Sequence, residues 1–357
     1  MKVSIGAYIK DGPWGGGNLF FQNLKKHLEQ KGHKVINHLL EDDIDLILLT
    51  DPRKDSESSS FTNHDIEQYK EKINPNTKVV HRVNECDERK ETKGLNEFIF
   101  NANKCADSTV FVSEWIKNLY FNQGYKLINP KVIMSGSNTQ IFNKENKNIW
   151  NKNEKIAIVT HHWGGNWNKG FDIYSKLDEL LDDLNYSSKF EFTYIGNLPD
   201  NFKFKNVKVI KPLSGKNLAE QLKKNHIYLT ASLNEPSGNH HIEGALCGLP
   251  ILFIDSGALP EYCEEYGIKF NPKNFHEKLF EMQEQYFYFI ENLKNYPYKS
   301  ESMCDDYEKL FIRMIKEEKK EIAITNKKQF YKKLTLSIKR IIFLNLYNLF
   351  RKNKLWK

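Results

Sequence analysis

Long apolar runs are missing from this 357-residue chain; none reaches the roughly 20 residues that a membrane-spanning helix requires. Cysteine is scarce and scattered. Cys86, Cys105, Cys247, Cys263 and Cys304 form no C-x-x-C pair, which argues against a disulfide framework or a structural zinc site and for a reducing compartment. The loop after the first strand-like run lacks G-x-G-x-x-G spacing, so it supports neither a nicotinamide nor a flavin site. No long apolar segment follows Met1 and Lys2, so no secretory leader is expected and the predicted location is the cytoplasm. A basic body is also lacking. The net charge is +7, but residues 316–357 hold thirteen Lys or Arg and three Glu, leaving 40 basic against 43 acidic residues elsewhere. The body is slightly acidic, and its charge makes no case for a nucleic-acid partner.

What is present is enough to fold. The hydrophobic content is 39% and the aromatic content 13%, and the length exceeds one ordinary core, so two domains are expected. Short β-prone runs alternate with helical periodicity, which predicts α/β architecture with two parallel, doubly wound sheets. The division reads as a first Rossmann-like domain over 1–148 and a second over 149–300. A helix over 301–316 and a basic amphipathic tail over 317–357 complete it, with the Asn-, Lys- and Glu-rich residues 143–153 as linker.

The densest stretch is 226–261. Ile227–Thr230 and Pro250–Ile254 read as strands, and between them a helix begins near Asn239 and stops at Gly248. Its amino end, preceded by Pro236, Ser237 and Gly238, offers backbone N–H groups to phosphate. Glu235 and Glu243 flank that end with seven residues between them. Carboxylates accept hydrogen bonds from sugar or ribose hydroxyls while helix amides hold phosphates, so the pair fits a nucleotide sugar. Read blandly, the stretch is an ordinary strand and helix with two solvated glutamates.

Glu235, Pro236, Gly238, Glu243, Ala245, Gly248 and Pro250 together resemble the Glu-x7-Glu signature of GT-B glycosyltransferases, especially the retaining group called family 4. Gly244 departs, standing where that group has Ala. The resemblance covers most of residues 1–315. It implies two Rossmann-like domains facing a central cleft, a first domain for the acceptor and a second for the nucleotide-sugar donor. In such proteins the helix after residue 300 crosses back onto the first domain. By the same likeness, Glu235 would meet the transferred sugar, Glu243 the ribose hydroxyls and Lys169 the diphosphate, while Gly238 and Asn239 would offer the helix amides.

Other matches follow from the resemblance. The glycine loop with Gly15, Gly16 and Gly17 is similar to one whose backbone nears the donor diphosphate or acceptor; a plain flexible connection has equal standing. His81 stands near a histidine that reaches the transferred sugar in relatives, and a structural histidine is the alternative. The loop His161–Gly170 carries the family's Lys-Gly as Lys169 and Gly170 but lacks its arginine, whose place His161 or His162 would take. Gly196 lies at a turn that is near the nucleotide base in relatives. The polar segment Asp51–Thr62 is expected to be a mobile loop at the crevice. No Asp-x-Asp lies in a plausible donor loop, and the adjacent histidines have no spaced third ligand, so no metal cofactor is expected.

In the tail, Phe330, Leu334, Ile338, Ile341 and Ile342 share one helical face and Lys332, Lys333, Lys339 and Arg340 another. That pattern suits an anionic inner membrane surface; packing on the body or on a second subunit fits equally. The resulting expectation is a retaining glycosyltransferase acting on a glycan, lipid-linked saccharide or related acceptor. A nucleotide-sugar epimerase of the same fold and a noncatalytic glycan-binding relative remain as alternatives.

Overall fold

The computed structural model of the chain describes residues 1–10, 16–325 and 346. The membrane expectation for residues 330–357 falls, but for the exposed Leu346, outside the described residues. Among the described residues no helix is long and apolar enough to cross a membrane.

Two parallel sheets organise the molecule. The first contains β1 (Lys2–Ile5), β2 (Lys34–Ile36), β3 (Leu46–Leu49), β4 (Lys78–Val83), β5 (Ser108–Phe111) and β6 (Pro130–Val132), in the order β2-β1-β3-β4-β5-β6. The second contains β7 (Ile156–His162), β8 (Phe190–Gly196), β9 (Lys208–Ile210), β10 (Ile227–Thr230), β11 (Ile251–Ile254) and β12 (Gly267–Phe270), in the order β12-β11-β10-β7-β8-β9. Helices cover both faces, which is why β3 reads LILL and is buried at every position rather than alternating.

Strand order reverses between β1 and β3 in one sheet and between β7 and β10 in the other. Chains leaving adjacent strands in opposite directions open a crevice at the carboxyl ends of those strands. The crevice of the second sheet therefore lies where β7 ends in His161 and His162 and where the loop after β10 carries Glu235.

Helix Gly16–Gln30 buries Phe20, Phe21, Leu24 and Leu28, one face at helical spacing. Against this helix lies Ser300–Thr325, whose Met303, Tyr307, Leu310, Phe311 and Met314 join the core of the first lobe. The segment read as a linker is partly core as well, since Trp150 is buried in the second lobe.

The Asp51–Thr62 segment is tied down rather than loose. Ser59 bridges Ala7, Tyr8 N–H donates to Ser58 at 2.8 Å, and Phe61 is buried. Thr62 and Asp65 then form a capping box on helix Asn63–Lys72. Sequence polarity suggested mobility here, but backbone hydrogen bonds and one buried aromatic decide otherwise.

The chain passes between lobes twice at one place. Ser137 N–H donates to Tyr298 and Ser300 N–H to Ser137, and a Cβ on Gly136 would lie 2.3 Å from the Lys299 carbonyl. Further in, Glu261 of the second lobe accepts from the Glu114 and Trp115 N–H groups that open helix Glu114–Asn122 of the first. Burial raises the Glu261 carboxyl pKa, and these N–H donors oppose the rise.

Candidate active site

A cleft of about 870 Å³ lies between the lobes, within the size range of small-molecule sites. Both signature glutamates line it and both are buried, each at 4% exposure.

Glu235 stands in the loop after β10, where Gly257 presses on its backbone and its carbonyl accepts from Ala258 N–H at 2.9 Å. One carboxylate oxygen takes a 2.7 Å bond from Lys169 Nζ. Lys169 is placed by Gly170, whose φ of +106° and contact with Ala231 leave no room for a side chain. The other oxygen lies 3.2 Å from Arg89 Nε. Arg89 belongs to the short helix Asp87–Lys90 of the first lobe, and its Nη1 also meets both oxygens of Glu85, at 2.8 and 3.0 Å. Burial alone would push the Glu235 carboxyl up, but Arg89 and Lys169 outweigh it and hold the group well below the usual carboxylate range.

Glu243 lies in helix Asn239–Leu246 and accepts from His161 Nε2–H at 2.9 Å. The His161 Nδ1 meets the Tyr228 hydroxyl at 3.1 Å, and that hydroxyl accepts the His161 backbone N–H at 3.2 Å and lies 3.4 Å from the His161 carbonyl. Tyr228 also accounts for the departure at Gly244, where a Cβ would lie 2.5 Å from the Tyr228 ring. The glycine and the tyrosine go together. The helix itself has Gly238 as N-cap with no side-chain hydrogen bond, so its amino end faces the cleft uncapped. Across from it, a Cβ on Gly16 would lie 3.2 Å from Asn239, while Gly17 lines the cleft with open space around it.

The remaining sequence-predicted residues are placed as follows. His162 turns inward, with Nε2 on the Tyr174 hydroxyl at 2.8 Å, and burial holds its pKa well below the ordinary value. His81 lines the cleft with 1% of its surface exposed. Its Nδ1 accepts from Asn103 Nδ2 at 3.1 Å, an amide fixed by Ile128 N–H donating to Oδ1. The ring proton is therefore on Nε2, and burial lowers the pKa to about 4. Gly196 is a correction, since of the predicted site residues it alone does not line the cleft. A Cβ there would lie 2.1 Å from the His162 carbonyl, so the glycine serves the approach of β8 to β7.

Sequence reading missed Arg89 and the histidines at 240 and 241. Arg89 had one local signal, the i,i+4 spacing from Glu85 in a charged segment. Nothing local pointed to the other lobe. His240 donates to or accepts from Thr230 Oγ1 at 2.8 Å and packs 4.7 Å from the His162 ring centroid. His241 is wholly buried with neither ring nitrogen partnered, and burial takes its pKa down to about 3.

Among the described residues, the group spaced to hold a metal ion is His27, Asp305 and Glu308, none of which lines the cleft.

Two parallel sheets with opposed switch points on a common cleft decide the architecture. The fold is GT-B. Solved structures agree: HepE of Anabaena in complex with UDP matches with a TM-score of 0.63 and 12% identity over 87% of this chain and 99% of that one. Sucrose-phosphate synthase of Thermosynechococcus elongatus matches at 0.61 and 12% identity over 88% and 98%. A glycosyltransferase of Rickettsia africae matches at 0.57 and 13% over 88% and 98%. No protein-family model matches the chain, and no curated protein sequence matches it. At such identities the likeness speaks for the GT-B fold, and the chemistry has to be argued from the cleft.

Proposed function

We propose that the chain is a retaining glycosyltransferase that moves a sugar from a nucleotide sugar to a hydroxyl of a glycan, lipid-linked saccharide or related acceptor. The observation that carries this reading is the pairing at the switch point of the second sheet: one carboxylate held by two cations, a second held by the His161 imidazole, and an uncapped helix end beside both. Glu243 accepts from ribose hydroxyls and Glu235 from hydroxyls of the transferred sugar. Lys169, Arg89 and the amides following Gly238 meet the diphosphate.

Glu235 is already neutralised, so an arriving diphosphate draws the same two cations toward itself and frees the carboxylate for the sugar. As the bond to the leaving nucleotide breaks, charge grows on the diphosphate, and fixed cations in a water-poor cleft lower that barrier. Arg89 takes the part of the arginine that the loop 161–170 lacks, while His161 holds Glu243 in place. His81, with Nδ1 occupied, offers only Nε2–H, as a donor to a sugar oxygen. With cations and amides supplied by the chain, turnover needs no divalent metal. UDP bound to the Anabaena structure makes a uridine nucleotide the first donor to try.

The test is a panel of nucleotide sugars incubated with the chain, with and without chelator, followed by chromatography. Release of free nucleotide that survives chelation, with the anomeric configuration kept, is expected. An epimerised donor would overturn the transfer reading, and no binding of any nucleotide sugar would overturn the donor site itself.

A further inference from the structure

Arg82 follows His81 on β4, and successive strand residues point to opposite faces. Its side chain leaves the sheet toward helices 16–30 and 300–325, where the guanidinium lies 4.1 Å from the Phe20 ring centroid and beside the Tyr307 hydroxyl. It is 5% exposed and lines the cleft. A buried arginine ordinarily has a carboxylate partner, because an unpaired charge away from water is costly. The partly buried Arg89 has such partners in Glu85 and Glu235, and even the exposed Arg53 holds Asp51. Arg82 departs from this rule. Among the described residues no carboxylate lies within ion-pair distance, and Nε is buried with no hydrogen-bond partner.

A second group on the cleft wall is in the same condition. The Ser137 hydroxyl is buried, lines the cleft and has no partner. Asn23, Lys26 and Asn138 line the cleft as well. A stacked guanidinium, a hydroxyl, two amides and an ammonium outnumber what the two oxygens of a carboxylate use. They suit the three or four oxygens of a phosphate.

We infer that Arg82 and Ser137 mark an anion site on the first-lobe side of the cleft, taking a phosphate carried by the acceptor. Assigning that phosphate to the acceptor rests on the glycosyltransferase reading; the anion site does not. The bound phosphate supplies the charge that Arg82 lacks and holds the acceptor opposite the donor lobe. Two sources share this chemistry, a soluble phosphosugar and a lipid headgroup.

The experiment titrates inorganic phosphate into the full chain saturated with UDP, by calorimetry and by thermal unfolding. Phosphate should bind and raise the melting temperature. Arg82→Met keeps an unbranched stem on Phe20 and removes the unpaired charge. It should melt no lower than the parent, bind UDP equally, and bind phosphate at least about tenfold more weakly. Arg82→Lys should fall between. Equal phosphate binding by the Met variant, or none by the parent, overturns the site. So does a Met variant that melts well below the parent and a parent that phosphate leaves unchanged, the behaviour of a structural brace. Displacement of phosphate by glucose 6-phosphate alone assigns the soluble source. Displacement by phosphatidylcholine vesicles doped with phosphatidylinositol, and not by vesicles without it, assigns the lipid headgroup. Failure of both overturns the acceptor assignment. Failure of UDP to bind sinks the donor reading and leaves the phosphate titration readable.

Discussion

Behind its wall of the cleft the second lobe has one continuous core, running from Phe142 to Tyr296, whereas the sheet of the first lobe is covered by three separate clusters. The charges divide along the same line. The second lobe presents the two buried glutamates, each held by a group from its own lobe. The first presents three arginines: Arg53 paired with Asp51, Arg89 holding Glu85 and reaching across to Glu235, and Arg82 without a carboxylate. The continuous core seats both carboxylates, while in the first lobe the short helix 87–90, tied through Asp87 to Thr92, Leu95 and Asn96, carries a cation across. Glu235 thus has both of its cations only with both lobes in place.

The sharpest break of this comparison is Glu235→Gln, which leaves two cations without their common counter-charge and removes the proposed sugar contact. Transfer should fall by about 100- to 1000-fold with the fold intact by circular dichroism; near-normal turnover would move the chemistry away from this loop.

Removing the cations separates the lobes. Lys169→Ala should raise the donor KM and lower kcat together, by about tenfold each, because in the proposed function its charge meets both the bound diphosphate and the departing nucleotide. Arg89→Ala should add a stability loss of about 3 kcal/mol in urea titration, since truncating one partner of a buried pair strands the other. Equal stability losses from both variants would erase the distinction between the walls.

Acid should act on the second wall before the first. His241, with its pKa near 3, and His226, near 4, are in the second lobe, and burial lowers His162 and His240 there as well. His81 of the first lobe is near 4. Unfolded histidine titrates near 6.5, so between that value and about 4 the unfolded chain binds protons that the folded chain refuses. Stability present above pH 6.5 should decline by about 1.4 kcal/mol per histidine for each unit of acidification. Urea midpoints measured from pH 7.5 down to 5 read this slope, and amide exchange should show strands β7 and β10 opening first.

The smallest effect expected is from Gly244→Ala. Its Cβ would meet the Tyr228 ring at 2.5 Å, an overpacking worth about 1–3 kcal/mol, and should weaken donor affinity through His161 and Glu243. A companion Tyr228→Phe should relieve none of it, because the ring remains.

The fold was legible because both sheets are built from short, fully buried runs such as LILL and ILFI separated by glycine and polar turns. Glu235 and Glu243 were legible because one strand, one turn and one helix carry both. Arg89 was not, since its partner lies 146 residues away in the other lobe and its own segment reads as a solvated charge cluster. Gly244 read as an unexplained departure until the Tyr228 ring was seen to fill the space of a methyl group. Gly196 was expected near the nucleotide base by resemblance alone, and its backbone packs against His162 outside the cleft lining.

Residues 137 and 299 are partners in a parallel bridge, so the stretch between them enters and leaves the first lobe through adjoining backbone. In construction terms it is a cassette with neighbouring ends. Exchange at that join alters few backbone positions, and a graft retaining Glu261 and Tyr262 would keep the contacts to Glu114, Trp115, Val112 and Ser135 that seat one lobe on the other. Under the proposed function, donor preference and acceptor preference would then be separable by cut and splice, with the first lobe and its Arg82 carried over unchanged.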